Sequence, residues 1–293
     1  MHPILRLLRP KQWTKNLLVF AALVFTARFN QPESVGLAAL GFVAMCLLSS
    51  SIYVVNDIMD AKRDRQHPEK RNRPIASGEV KPKVALVISQ LLALVGAIIL
   101  VFLGPPTVVI GGVYVALQAM YNLRLKHVAV LDVFIISIGF VLRAVLGAAV
   151  IHATISGWLL LCTGALALTL GFGKRRAEFM QSEGTGASRP SLVDYSQQAL
   201  DVLVASSATA AALCYGVYVL ESATAKAHPA LITTAPFVFY GICRYLLLTF
   251  QDNQRVEEPE SLLFRDAHLW VSVILFLVVA AVAMSTSRLP WVE

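Results

Sequence analysis

Long apolar runs separated by short polar breaks dominate this sequence. Nine of them read as membrane-crossing helices, at residues 15–29, 35–57, 83–103, 107–122, 130–151, 157–173, 199–221, 230–250 and 268–287. A spanning helix needs about 20 apolar residues, so the shortest runs are expected to merge with their neighbours. Gly104-Pro105-Pro106 divides the third run from the fourth, and the surroundings of Gly157 and Pro229 mark further turns. The pattern predicts an all-α membrane protein: a bundle of nine transmembrane helices in one integral domain, residues 1–293. The polar stretches 57–83 and 173–199 are long enough to cap one end of that bundle. The basic, amphipathic N-terminal stretch carries no small-residue cleavage site after it, so the first run reads as a retained span.

Composition agrees with the pattern. Hydrophobic residues make up 57% of the chain and charged residues only 15%, against about 25% charged in soluble domains. The mean hydropathy is +0.66. A net charge of +7 could signal nucleic acid, but in a membrane protein it reports topology instead. With the N-terminus cytoplasmic, segments 1–15, 57–83, 122–130, 173–199 and 244–268 hold every Lys and Arg except Arg28, Arg143, Lys226 and Arg288. Such asymmetry orients a multi-pass membrane protein with its charged loops on the cytoplasmic side. It leaves no reason to invoke nucleic acid. Cys46, Cys162, Cys214 and Cys243 lie singly in apolar runs and suggest neither a disulfide framework nor a metal site. The six histidines are scattered, and none stands out as a catalytic base.

The chemistry concentrates where the second run ends, in YVVNDIMDAKRDRQHPEKRNRPIASGEV, residues 53–80. If the helix continues, Asn56, Asp60 and Asp64 fall four residues apart on one face, with Asp57 beside them. Carboxylates this close repel one another unless a cation lies among them. Hard oxygen ligands in such a row suit Mg²⁺, which is usually shared between one or two carboxylates and a substrate phosphate. The plainer alternative is a solvated helix end whose acids pair with Lys62, Arg63 and Arg65. Arg71 and Arg73 follow in KRNRPIASG, and positive-inside topology accounts for part of that charge. A phosphate-rich substrate, held by a metal on one side and by guanidinium groups on the other, accounts for the alternation of acids and bases.

The succession N-D-x-x-D-x-x-x-D then K-R-x-R-P-I-A-x-G resembles the UbiA superfamily of intramembrane prenyltransferases. It is carried here by Asn56, Asp57, Asp60, Asp64, Lys70, Arg71, Arg73, Pro74, Ile75, Ala76 and Gly78. The resemblance implies Mg²⁺ and a bound diphosphate at this motif. Aromatic-substrate members carry a second motif, D-x-x-x-D, near the sixth helix. This chain instead reads GFGKRRAEF there, with Lys174, Arg175, Arg176 and Glu178. One metal cluster facing a cationic phosphate pocket is therefore expected. RPKQWTKN (9–16), YNLRLKHVAVLD (121–132), GFVLRAVLGA (139–148), GKRRAE (173–178) and EPESLLFRD (258–266) together resemble the decaprenyl-phosphate phosphoribosyltransferase branch, over about residues 6–270. That branch implies transfer of 5-phosphoribose from phosphoribosyl pyrophosphate (PRPP) to a polyprenyl phosphate. The product would be a lipid-linked precursor of cell-envelope arabinose. The rival within the superfamily moves a prenyl group from a prenyl diphosphate to an aromatic or glycerol-phosphate acceptor; a non-catalytic anion-binding transporter is the rival outside it.

Three phosphate centres call for many cations. Asp57, Asp60 and Asp64 are the expected catalytic carboxylates, and with Asn56 the expected metal ligands. Lys15, Asn56, Arg71, Arg73, Tyr121, Lys126, Arg143, Lys174 and Arg175 are the expected substrate contacts. Several have plainer readings. Arg143, inside an apolar run, either faces the site or pairs with Asp132. Lys126 could snorkel, and Lys174 and Arg175 could simply complement a helix C-terminus. Arg265 with Asp266, and Glu258 with Glu260, belong either to the cap or to a solvated salt-bridge face. A homo-oligomer is left open, and no protein partner is indicated.

Overall fold

The computed structural model describes residues 2–66, 70–181, 190–251 and 266–285. Among these, every regular element is helical. The α-helices are α1 (Pro3–Leu7), α2 (Ala21–Phe25), α3 (Pro32–Asp64), α4 (Pro82–Leu103), α5 (Pro105–Leu123) and α6 (Leu131–Val150). They continue as α7 (Gly157–Gln181), α8 (Gln197–Glu221), α9 (Ala223–Ala227), α10 (Ala235–Gln251) and α11 (Ala267–Ser285). Among the described residues, eight helices are long and apolar enough to cross a membrane. They match the expected runs two to nine.

The caps explain the boundaries. Pro32, Pro82 and Pro105 open α3, α4 and α5 at the first helical turn, where a missing N–H costs nothing. Gly104, at φ 110°, makes the sharp link between α4 and α5. Ser196 Oγ accepts from Ala199 N at 3.1 Å to start α8. Asp266 Oδ1 accepts from Leu269 N at 2.9 Å to start α11. The Arg244 guanidinium grips Asp266 through Nε and Nη2 at 3.2 and 2.7 Å. That grip holds the Asp266 carboxyl below the usual carboxylate range.

The first run departs from expectation. Instead of one α-helix over 15–29, Pro10–Phe20 winds as a 3-10 helix and passes into α2. The tighter winding rises about 2.0 Å per residue, so residues 10–25 reach about 30 Å, the thickness of a hydrocarbon core. Among the described residues eight helices therefore qualify as crossings, and the first expected run is wound differently.

Helix α3 has 33 residues and is about 50 Å long, well beyond the roughly 30 Å of hydrocarbon. Its final turns, with the aspartates, therefore project past the apolar layer.

The chain forms two compact units: Met1–Leu23 with Phe29–Asn122 and Leu142–Ala153, and Val24–Arg28 with Leu123–Val141 and Thr154–Glu293. In the first, α4 closes on α3 where Gly96 faces Leu48 and the Ala44 carbonyl, and Ser51 Oγ meets Ser89 Oγ at 3.0 Å. Leu7, Val54, Ala61, Ile75, Val80 and Ala85 form a core beneath the aspartate turns. In the second, Val133, Phe172 and Val204 pack together, as do Ala177, Tyr245, Leu248 and Leu269. The outward side chains are apolar, with Phe102, Val109, Val202 and Leu213 well exposed, as lipid-facing positions should be.

Gly173 shows how close the second unit is packed. A Cβ there would lie 2.1 Å from the Tyr245 hydroxyl, which is buried and has no hydrogen-bond partner among the described residues. Gly173→Ala is expected to cost about 1–3 kcal/mol by overpacking. Adding Tyr245→Phe removes the clashing oxygen and should recover much of it. Thermal unfolding in detergent reads both effects; a double variant no more stable than Gly173→Ala would refute the contact.

Candidate functional site

The end of α3 projects its charges because the apolar run stops at Val55 while the helix continues for two and a half turns. Asp57 and Asp64 stand seven residues apart, two turns along one face. They are buried: their side chains are 3% and 6% exposed. Arg73 closes back on them from the loop after α3. Its Nη1 donates to Asp57 Oδ1 at 3.1 Å and to Asp64 Oδ2 at 2.7 Å. A second guanidinium, from Arg9, also donates to Asp57 Oδ1 and lies 5.2 Å from the Tyr53 ring centroid.

The loop supplies this geometry through its own turn. Ser77 N bonds Arg73 O at 2.8 Å and Val80 N bonds Pro74 O at 2.9 Å. Gly78 adopts φ 84°, which a side chain disfavours. Ile75 and Val80 anchor the turn in the core. KRNRPIASG is therefore a rigid bracket that aims Arg73, while Arg71 is exposed on its outer side.

The spacing predicts four ligands around one point. Among the described residues, no three His, Cys, Asp or Glu side chains converge as a metal site. The physical reason is the pairing: like charges need positive groups between them, and Arg73 bridges Asp57 and Asp64 while Arg9 also holds Asp57. Asn56 and Asp60 are half-buried on neighbouring turns. The donor set nonetheless suits Mg²⁺. A single cationic nitrogen already bridges two carboxylates, so hard oxygens from two turns reach one positive centre, with Asp60 between them in sequence.

Arg143 is placed by polar groups deep in the first unit. Its Nε donates to Asn16 Oδ1 at 2.7 Å and its Nη2 to the Tyr114 hydroxyl at 2.9 Å. The Asn16 amide in turn reaches Cys46 Sγ and Ser49 Oγ, each at 3.2 Å. The alternative pairing with Asp132 is not what forms. Eleven residues of helix separate the two by about 16 Å, beyond side-chain reach.

Asp132, in the second unit, is fully buried and takes Arg175 Nε at 2.7 Å. Arg175 also donates to Glu178 at 2.5 Å. The Tyr195 hydroxyl accepts from Val130 N at 2.5 Å and donates to Asp132 at 3.4 Å. Burial pushes that phenol up to about 12, so it stays a neutral hydroxyl. Arg176 pairs with Asp201 at 2.5 Å and donates to Thr249 O at 2.9 Å. The expected cationic strip is thus largely engaged with carboxylates, and Arg175, 2% exposed, is a structural ion-pair partner. Lys174, Lys15, Tyr121 and Lys126 are half-buried. Glu258, Glu260 and Arg265 lie outside the described residues. All four cysteines are free.

Comparison with known proteins follows the same lines. The pattern defining the UbiA prenyltransferase family matches residues 17–265. This chain belongs to the UbiA prenyltransferase family. It is 36% identical to a decaprenyl-phosphate phosphoribosyltransferase of Mycolicibacterium smegmatis over 282 residues, 92% of this chain and 88% of that protein. A protein of the same description from Mycobacterium tuberculosis is 32% identical over 96% of this chain and 94% of its own length. The fold resembles a UbiA homologue from Archaeoglobus fulgidus bound to GPP and Mg²⁺, with TM-score 0.75 and 17% identity over 97% of this chain and all of that one. This family member is thus a multi-pass, all-helical membrane protein.

Sequence reasoning did not single out Arg9, Asn16 or Tyr114. Arg9 and Asn16 stand in RPKQWTKN, quoted above only as a resemblance. Their signal was polar residues at the head of an apolar run.

Proposed function

We propose that this chain transfers 5-phosphoribose from PRPP to a polyprenyl phosphate of decaprenyl type, with Mg²⁺, releasing diphosphate. What supports this reading most is the similarity, at 36% identity over 92% of the chain, to a protein described as catalysing that class of transfer. The charged tip of α3 supplies the matching chemistry.

Asp57, Asp60 and Asp64, with Asn56, would hold the ion, and when bound it neutralises negative charge on the departing diphosphate. Arg73 steers the anionic donor, because its guanidinium lies at the mouth of the buried carboxylate pair. In the reaction the bond from the anomeric carbon to the diphosphate oxygen breaks, and one from that carbon to a phosphate oxygen of the lipid forms. The lipid phosphate is already anionic, so no general base is needed. Holding both reactants in line provides most of the acceleration. The Ile75–Val80 bracket contributes by fixing Arg73. The site is assigned to the cytoplasmic face of a bacterial plasma membrane, where the basic loops belong.

The test uses purified protein in detergent with Mg²⁺, ribose-labelled PRPP and decaprenyl phosphate. Label should move into the organic phase with one diphosphate released per transfer. Geranyl diphosphate with an aromatic acceptor should release none. Turnover only with the prenyl diphosphate would overturn the reading.

A further inference from the structure

Arg9 lies 48 residues before Asp57 and reaches it across the fold. Its backbone is left-handed, φ 51° and ψ 59°, a conformation L side chains avoid and keep only where the surroundings fix it. They do so here. Leu7 is fully buried in the core below the aspartates. Ser50 Oγ donates to Leu8 O at 2.8 Å and accepts from Trp13 Nε1 at 3.0 Å. Arg6 pairs with Glu79 on the bracket loop. The N-terminal segment is thus a strap sewn to α3, and Arg9 is the residue it aims at the carboxylates.

Exposure gives the order of the layers. Asp57 is 3% exposed and Asp64 6%, whereas Arg9 is 23% and Arg73 27% exposed. The carboxylates lie beneath, and an anion arriving from water meets the two guanidinium groups first. A guanidinium carries five N–H donors, so Arg9 can receive a phosphate. It cannot keep the same carboxylate oxygen once that oxygen ligates a divalent ion, because the two positive groups repel.

We propose that Arg9 is a donor-binding residue whose guanidinium exchanges Asp57 for a phosphate oxygen of the donor as Asp57 becomes a cation ligand. The identity of the donor rests on the phosphoribosyl-transfer reading; the exchange itself requires only a diphosphate. It also favours donors richer in phosphate. A sugar carrying a diphosphate and a further phosphate bears more negative charge than one divalent ion balances, and Arg9 with Arg73 supplies the remainder.

Binding calorimetry in detergent, without lipid acceptor, tests this on the wild type, Arg9→Ala, Arg9→Lys and Arg6→Ala. The probes are inorganic diphosphate with Mg²⁺ and PRPP with Mg²⁺, and melting temperatures are measured alongside. Arg9→Ala should weaken both probes at least about tenfold, the loss of one charge-assisted hydrogen bond. Arg9→Lys should recover part, since it keeps the charge but loses the planar fork. Arg6→Ala, on the same strap but off the carboxylates, should bind as the wild type does. Unchanged diphosphate binding by Arg9→Ala overturns the proposal. So does equal weakening in Arg9→Lys and Arg6→Ala with falling melting temperatures, which would make the strap's folding the whole effect. A wild type that binds diphosphate through Arg9 yet transfers no phosphoribose keeps this assignment and rejects the donor reading.

Discussion

Asp60→Asn is expected to cut phosphoribosyl transfer by at least about a hundredfold while leaving the melting temperature near that of the wild type. The magnitude follows from metal sites: losing only a supporting partner of a ligand costs about 10–100-fold, and a ligand itself costs more. The unchanged stability follows from position. Asp60 is half-exposed on the projecting tip of α3, so an isosteric amide disturbs no buried charge. Asp57→Ala should separate from it by losing both activity and stability. Removing that buried carboxylate strands Arg9 beside Arg73, which keeps only Asp64. Breaking a fully buried pair costs about 3–5 kcal/mol. Here about 2 kcal/mol is expected, because both arginines keep roughly a quarter of their side chains in water. Labelled transfer measured beside thermal unfolding distinguishes the two variants. Full activity in a folded Asp60→Asn protein would remove the metal ligand from the account.

Gly147→Ala should be the most damaging change away from the charged tip. A Cβ at this position of α6 would fall 2.0 Å from the Val19 carbonyl oxygen and 2.7 Å from its carbon. The obstacle is backbone, so no rotamer change relieves it. The 3-10 segment would have to withdraw, taking Asn16 from Arg143. Overpacking of side chains costs about 1–3 kcal/mol, and a backbone collision should exceed that. Little folded protein should then survive detergent extraction. Gly112→Ala is the control: its Cβ would meet nothing within 4 Å, so it should be neutral or slightly stabilising. Fluorescence-detected size exclusion of both variants gives the comparison.

The crossings were legible in the sequence because burial in lipid is decided locally. Each segment must satisfy its own backbone hydrogen bonds, so about 20 apolar residues announce a helix whatever its neighbours. The continuation of α3 through the aspartates follows the same pattern, but the fold joins Asp57 to Asp64 through Arg73 and leaves Asn56 and Asp60 half-buried. The winding of the first run was not legible: Pro10–Phe20 is a 3-10 helix whose Val19 backbone lies against Gly147, far away in sequence.

Nor could sequence choose partners among the arginines. By type alone, Arg73, Arg143 and Arg175 are equivalent cations near an anionic site. Only the fold gives Arg73 to Asp57 and Asp64, Arg143 to Asn16 and Tyr114, and Arg175 to the buried Asp132. Arg9 joins Asp57 from 48 residues away, a distance at which no spacing rule operates. Hydrophobicity is a property each residue carries along the chain, so sequence determined what crosses the membrane and where the charges cluster. Ion pairing depends on positions in space and on desolvation, so only tertiary structure decided which of those charges pair with one another and which stay at the water-facing side.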